Sequence, residues 1–292
     1  MPYPCNAWLR LRWQCVPIAL LALACLSLPS SAWTITGHRT VVEIAIRYLS
    51  QPARDQIGEL LDRELDGLAD LAMWADETIE ERPETESWHT VDIPHGGGGY
   101  NRERDCRYDD CIVERIKDFA GILADRRQAK WLRLEALKFV LHFVGDLHVP
   151  VHAYAPGAPE DIWRPWKGWE GPWVRIGDET VELHDWWDWH FLARMGLRRN
   201  EIAGILAAQI TADEQAAWVR GSPEDWANES FQIARAFVIK YRLIDPALLE
   251  GNSMDKPIVL GDAAAAEATA IVVQRLKMAG VRLAWLLSGA ME

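Results

Sequence analysis

The sequence predicts an all-α fold, a single multi-helix domain with one small β-hairpin excursion. Apolar residues recur at three-to-four spacing over most of the chain, and strict alternation is confined to one short stretch. No linker, repeat or charge block divides the 292 residues, a length ample for one buried core. The elements follow in order. Thr40 to Leu49 and Ala53 to Leu65 read as the first helices, and Cys111 to Arg127 and Trp131 to His152 as a central pair. Asp185 to Met195, Pro223 to Leu249 and Ala263 to Leu287 complete the helical set. Trp173 to Leu183 alternates like a strand pair that turns at Gly177-Asp178. Gly96 to Gly99 and the Pro/Gly/Trp-rich stretch from Pro156 to Pro172 read as loops.

Residues 1–32 read as an export signal, leaving residues 33–292 as the domain. Arg10 and Arg12 precede an apolar run from Val16 to Leu28, and Ser30-Ser31-Ala32 supplies small residues at the cleavage site. The run is too short to anchor the chain across a bilayer. The expected location is therefore the periplasm or the exterior. A lipoprotein anchored at Cys25 is the alternative, since Ala22-Leu23-Ala24-Cys25 loosely resembles a lipidation box. Cys5, Cys15 and Cys25 leave with the signal. Cys106 and Cys111 remain, and a close pair in an oxidising compartment reads as a local disulfide, with a two-Cys zinc site as the weaker reading.

Lys plus Arg number 31 against 43 Asp plus Glu, a net charge of -12. That balance argues against a protein that holds nucleic acid by a basic face. It leaves open a nucleic-acid enzyme whose positive charge comes from metal ions. All eight His lie beyond the signal, most of them near an Asp. His142 and Asp146 are four apart and share a helix face, with His152 about 80° further round the same predicted helix. His184 and Asp188 repeat the four-residue spacing, while Asp76 and His89 each follow a Trp closely. One such pair is a common surface salt bridge. Two pairs with further His in apolar surroundings point to a polynuclear metal site, and imidazole with carboxylate suits zinc.

The run Ala136-Leu137-Lys138-Phe139-Val140-Leu141-His142-Phe143-Val144-Gly145-Asp146-Leu147-His148-Val149-Pro150-Val151-His152 resembles the signature helix of the secreted trinuclear-zinc nucleases of the S1/P1 type. Trp33 with Gly37-His38, Trp74-Ala75-Asp76, Trp88-His89, Arg104-Asp105-Cys106 with Cys111, and Leu183-His184 with Asp188 match as well. So does Ala279-Gly280-Val281-Arg282-Leu283-Ala284 near the end. The resemblance implies the fold shared by zinc phospholipase C and the single-strand nucleases, and three zinc ions. The first would be held by Asp76, His89, His142 and Asp146, and the second by His152, His184 and Asp188. The third would take the free amino group and carbonyl of Trp33, with His38 and a bridging Asp146, so cleavage before Trp33 would itself create a ligand. The implied activity is endonucleolytic hydrolysis of single-stranded DNA and RNA to 5′-phosphorylated products, with removal of 3′-phosphate from nucleotides. The expected protein is a monomer with no stable protein partner.

Other positions carry secondary expectations. Asp92, where the family also has Asp, would orient the attacking water or else order its own loop. His148 and His190 are expected outside the ligand set, and His95 in a loop. The family's usual basic residue three places after the Trp-Ala-Asp carboxylate is Ile79 here, and Arg82 is the candidate to reach the same space. Trp163, Trp166 and Trp169, with Trp186, Trp187 and Trp189, would stack on unpaired bases or pack on their own elements. The nearest rival is a zinc phospholipase C acting on lipid headgroups, which usually carries Glu where this chain has Asp188. A non-catalytic zinc-binding protein is the alternative of another class.

Overall fold

The computed structural model describes residues 35–65, 67–157, 171–190 and 199–292, so the expected signal segment lies outside the described residues. The all-α expectation holds: helices dominate, and one small sheet interrupts them. α1 (Ile35–Tyr48) buries Val41, Val42, Ile44 and Ala45 together with His38. α2 (Gln51–Leu61) starts where the Ser50 hydroxyl caps the Ala53 N–H and Pro52 pre-sets the first turn. It stops short of Leu65 because Asp62 turns left-handed at φ 54°. A 3₁₀ turn, Leu68–Met73, leads into α3 (Trp74–Glu77), and a second, Pro83–His89, follows. α4 (Arg102–Asp105) runs into the disulfide that joins Cys106 to Cys111, so the local-disulfide reading of that pair is the right one.

α5 (Ile112–Ala124) and α6 (Lys130–Asp146) lie side by side in the core. Phe119 stacks on Phe139 at 4.5 Å between ring centroids, and Phe139 on Phe143 at 5.2 Å. The helix expected to continue through His152 ends at Asp146. Pro150 has no N–H to continue the ladder and forces the residue before it out of helical geometry. Val149 is extended accordingly (φ -78°, ψ 117°), and His152 sits on a separate 3₁₀ turn, Pro150–Ala153. His152 is therefore not round the face of α6 but beyond its end.

β1 (Trp173–Ile176) and β2 (Glu179–Glu182) form the expected hairpin, with Gly177 at φ 62° in the turn. The sheet gains a strand that the sequence reading missed. β3 (Ile258–Leu260) pairs in parallel with β1, giving the order β2-β1-β3. Three apolar residues between Pro257 and Gly261 are too few to show a period. α7 (Leu183–Asp185) follows the hairpin directly and passes into a π-helical turn, Trp186–His190. α8 (Arg199–Ala208) and α9 (Ala212–Trp218) were also missed, although Thr211 and Glu214 form a capping box.

The single helix expected over Pro223 to Leu249 is two. α10 (Pro223–Lys240) ends where Arg242 adopts φ 56° and the Leu243 N–H returns to the Val238 carbonyl at 2.9 Å. α11 (Pro246–Leu249) restarts after the Asp245 cap. α12 (Asp262–Met291) runs through the interior against α1, α2, α5 and α6. Among the described residues no helix is long and apolar enough to cross a membrane.

The approach of α12 to α1 is set by Gly280. A Cβ there would lie 2.4 Å from Ile44 Cγ2 and 2.6 Å from Ile44 Cβ, with the Val41 carbonyl at 3.1 Å. An alanine in a helix interior ordinarily gains about 1 kcal/mol over glycine. Overpacking costs about 1–3 kcal/mol and works against it here. Gly280→Ala is thus expected to destabilise the protein, read as a lower denaturation midpoint at an unchanged m-value. A midpoint at or above the parent's would contradict the close approach.

Candidate metal centre

Seven elements converge on one buried space. α1 contributes His38, α3 Asp76, the Pro83–His89 turn His89, and α6 both His142 and Asp146. The turn beyond α6 contributes His152, α7 His184, and the π-helical turn Asp188. Their donor atoms fall into three groups: His38 with His142 and Asp146, Asp76 with His89 and His142, and His152 with His184 and Asp188. Within each group the atoms lie within 4.8 Å of one another.

Asp146 is fully buried and links the groups. Its Oδ1 is 3.3 Å from His38 Nε2, and its Oδ2 is 3.0 Å from both His89 Nδ1 and His142 Nε2. Asp76 Oδ1 stands 3.2 Å from the same His142 nitrogen. In the other group His152 Nε2 faces His184 Nε2 at 2.8 Å, with Asp188 Oδ2 3.2 Å from the latter. Asp146 Oδ1 is 4.0 Å from His152 Nδ1, so the groups are neighbours.

This crowding of acceptors fits divalent ions. His142 Nδ1 lies 2.6 Å from the Ala72 carbonyl and His152 Nδ1 3.1 Å from the His89 carbonyl. A carbonyl only accepts, so each Nδ1 carries the proton and each Nε2 offers its lone pair to the site. Both His38 nitrogens, Asp146 Oδ1 and both Asp188 oxygens are buried without a hydrogen-bond partner. Buried polar atoms are ordinarily satisfied, and orphans in one cluster mark a site for a cation.

The electrostatics follow. Burial alone would raise the Asp146 pKa, but His142, His38 and His89 around it hold it well below the ordinary range. Burial opposes charge on His142 too, yet Asp146 and Asp76 win and raise its pKa well above the usual value. Asp76 is held down to about 2, with His142 and His89 outweighing its burial. Burial, then His142, keeps the His38 pKa low.

Local packing explains the placement. Gly145 lets α1 come close: a Cβ there would lie 2.8 Å from His38 Nδ1. Trp88, next to His89, donates from Nε1 to Asp110 at 2.5 Å inside the disulfide loop, and Ser87 Oγ donates to the same carboxylate. The disulfide thus steadies the turn that presents His89.

The other expected residues fall elsewhere. Asp92 is outside the three groups; its burial, and then the nearby Asp105 carboxylate, push its pKa well above the ordinary range. Arg82 is drawn to the surface of α6, where it donates to Glu135 at 2.9 Å and lies over the Phe139 ring at 5.5 Å. Trp186 and Trp187 are each 1% exposed and pack against Phe237, so they are core residues and not faces for stacking. Trp33, Trp163, Trp166 and Trp169 lie outside the described residues, as do the side chains of Trp189 and His190. His95 does lie in a loop, with Nδ1 2.9 Å from the Tyr154 hydroxyl. His148 is fully buried outside the ligand groups, against two arginines of α12: Arg275, which the sequence reading passed over, and Arg282, which it gave only as part of the C-terminal motif. An arginine within a largely apolar stretch of helix was the signal available for both.

A family model described as S1/P1 nuclease matches residues 33–292. The chain is 27% identical to endonuclease 2 of Arabidopsis thaliana over 277 residues, covering 86% of this chain and 88% of that protein. It is 30% identical to nuclease S1 of Aspergillus oryzae over 179 residues, 59% of this chain and 58% of that one. The match to nuclease P1 of Penicillium citrinum is 32% over 133 residues, 43% and 49% of the two chains.

The metal-free site predicts its own pH dependence. Asp146 and Asp76 raise the His142 pKa, and a bound ion competes with the proton they favour on its Nε2. Titrating a divalent ion into weakly buffered protein at pH 7 is expected to release on the order of one proton or more. Affinity is expected to weaken as the pH falls. Uptake without proton release, followed by an indicator dye, would contradict the arrangement.

Proposed function

The chain belongs to the S1/P1 nuclease family, and from that premise we propose that it is a zinc-dependent phosphodiesterase acting on nucleic acid. It cleaves single-stranded DNA and RNA endonucleolytically to 5′-phosphorylated products and removes 3′-phosphate from nucleotides. The observation that carries this reading is the set of three adjoining His/Asp groups, two of which share His142, with Asp146 between them and the third. Nitrogen and oxygen donors favour zinc, and both described cysteines are consumed in the disulfide. Zinc supplies positive charge for the phosphate and lowers the pKa of water to roughly 7 when bound.

The residues of the chain divide the work. Asp76, His89, His142 and Asp146 hold one ion, and His152, His184 and Asp188 a second. His38 and Asp146 hold the third together with the amino group and carbonyl of Trp33, freed by removal of residues 1–32 during export to the periplasm or beyond. The carboxylates of Asp76, Asp146 and Asp188 neutralise half the charge of three divalent ions, so the site attracts phosphate on a protein of net charge -12. Asp92, its pKa raised by burial and then by Asp105, is the residue proposed to orient the attacking water. Arg82 is engaged by Glu135, which favours phosphate binding by the ions alone. The protein acts as a monomer without a stable partner.

Trp163, Trp166 and Trp169 form the proposed stacking surface for unpaired bases. Each stacked base contributes about 1–3 kcal/mol, a factor of roughly 5 to 150 in affinity. Replacing all three by Ala is expected to raise KM for single-stranded DNA at least about fivefold, with kcat little changed. An unchanged KM would remove them from the substrate path.

The direct test is cleavage of a single-stranded oligonucleotide by exported protein confirmed to begin at Trp33, zinc-loaded and then chelated, with end-group analysis. Cleavage that leaves 5′-phosphates and stops on chelation is the expected result. Zinc-loaded protein inert on DNA and RNA but active on phosphatidylcholine vesicles would make it a phospholipase C instead. Protein inert on both would be a zinc-binding protein without this chemistry.

A further inference from the structure

Beneath the metal centre lies a charged network that holds no ligand atom. Arg275 and Arg282, two turns apart on α12, are 1% and 3% exposed, and His148 and Ser230 are fully buried. Glu229, from α10, accepts from Arg275 Nη1 at 2.9 Å and from Arg282 Nη1 and Nη2 at 2.6 and 2.7 Å. Buried charges of this kind are expensive unless they satisfy something. What they satisfy is the turn that follows Asp146.

That turn is short of partners. The Gly145 and Asp146 carbonyls accept from the His148 and Val149 N–H groups at 2.9 Å each, but with Val149 already extended before Pro150 the Val144, Leu147 and His148 carbonyls are met by side chains instead. Ser230 Oγ donates to the Leu147 carbonyl at 2.5 Å and accepts from Arg275 Nη2 at 2.7 Å. Arg275 Nε donates to the His148 carbonyl at 3.2 Å. His148 Nδ1 is 2.7 Å from the Val144 carbonyl, so that nitrogen bears the proton, and Nε2 accepts from Arg282 Nη1 at 3.0 Å. Apart from the Arg275–Ser230 bond, every hydrogen bond in this series ends on residues 144–148, astride Asp146 and just before His152.

We propose that Arg275, Arg282, Ser230 and His148 are positioning residues that fix the register between the two ligand sets, with Asp146 on one side of the turn and His152 on the other. The inference rests on the metal reading of the site. Partners that orient ligands from outside typically change metal affinity about 10- to 100-fold when lost. The effect here reaches both sets at once, because one clamped turn carries a ligand of each.

The test compares zinc affinity and stoichiometry, by competition with a chromogenic chelator, across the parent, His148→Leu, His148→Gln and Ser230→Ala. Thermal denaturation of the metal-free proteins runs in parallel. His148→Leu and Ser230→Ala are expected to bind zinc about 10- to 100-fold more weakly per folded molecule. His148→Gln, whose amide offers one donor to Val144 and one acceptor to Arg282, is expected to recover most of the parent affinity. Should His148→Leu fail to fold, Ser230→Ala and His148→Gln decide the matter. Parent affinity in the folded variants, with only a lower melting temperature, overturns the network and leaves the metal reading intact. A parent that binds no zinc overturns the metal reading, and this proposal with it.

Discussion

One fully buried carboxylate governs the arrangement of this molecule. Asp146 has no exposed surface, yet three imidazoles from three different elements close on it. An ionised carboxylate in such a place costs several kcal/mol unless positive charge meets it. Asp146 and Asp76 accordingly raise the His142 pKa, and bound ions would meet the same demand directly. The same residue therefore couples metal binding to the packing of α1, α6 and the turn bearing His89. Gly145 and Gly280 are the steric counterparts of that coupling, since each removes the Cβ that would hold α1 away.

The position of Asp146 at the end of its helix matters as much as its charge. Had α6 continued through His152, one rigid cylinder would have presented its ligands along a single stripe. Breaking the helix before Pro150 turns the chain so that His152 faces His184 and Asp188, supplied by a separate hairpin and turn. A break of this kind exposes backbone acceptors in the interior, where nothing but protein can satisfy them. The buried arginines of α12 and the hydroxyl of Ser230 answer that need. The cost of two buried cations is offset because they stabilise the break from which a multi-ion site is built.

Much of this was legible in the sequence, and the limits are physical. The four-residue spacings of His142 with Asp146 and His184 with Asp188 survive folding, because i,i+4 pairs share a face in any helical turn. Apolar periodicity located the long helices but not their ends at Asp62, Asp146 and Lys240, each set by a single left-handed residue or a proline. β3 was invisible because a parallel edge of three residues is defined by its partner and not by its own pattern. Trp186 and Trp187 were open to two readings, and position decided: both fill the core beneath the second ligand set. Arg275 and Arg282 carried a readable anomaly, charge on a largely buried helix, but their targets, among them Glu229, Ser230 and the ring and carbonyl of His148, lie far off in sequence, where no local pattern marks them.

An acidic chain that handles a polyanion must confine its attraction to a small volume. At physiological ionic strength, exposed carboxylates are screened beyond about 8 Å. Charge held in a buried centre is screened far less, so the sign of the local field near the ligands is set by the ions and not by the net charge of -12. The same negative balance disfavours holding a duplex backbone along a basic face. A single strand can thread one phosphate toward the centre and keep the others in solvent. On the proposed function, selectivity for unpaired strands would begin with the contrast between a net negative chain and a cationic centre, and the proposed base stacking would add to it.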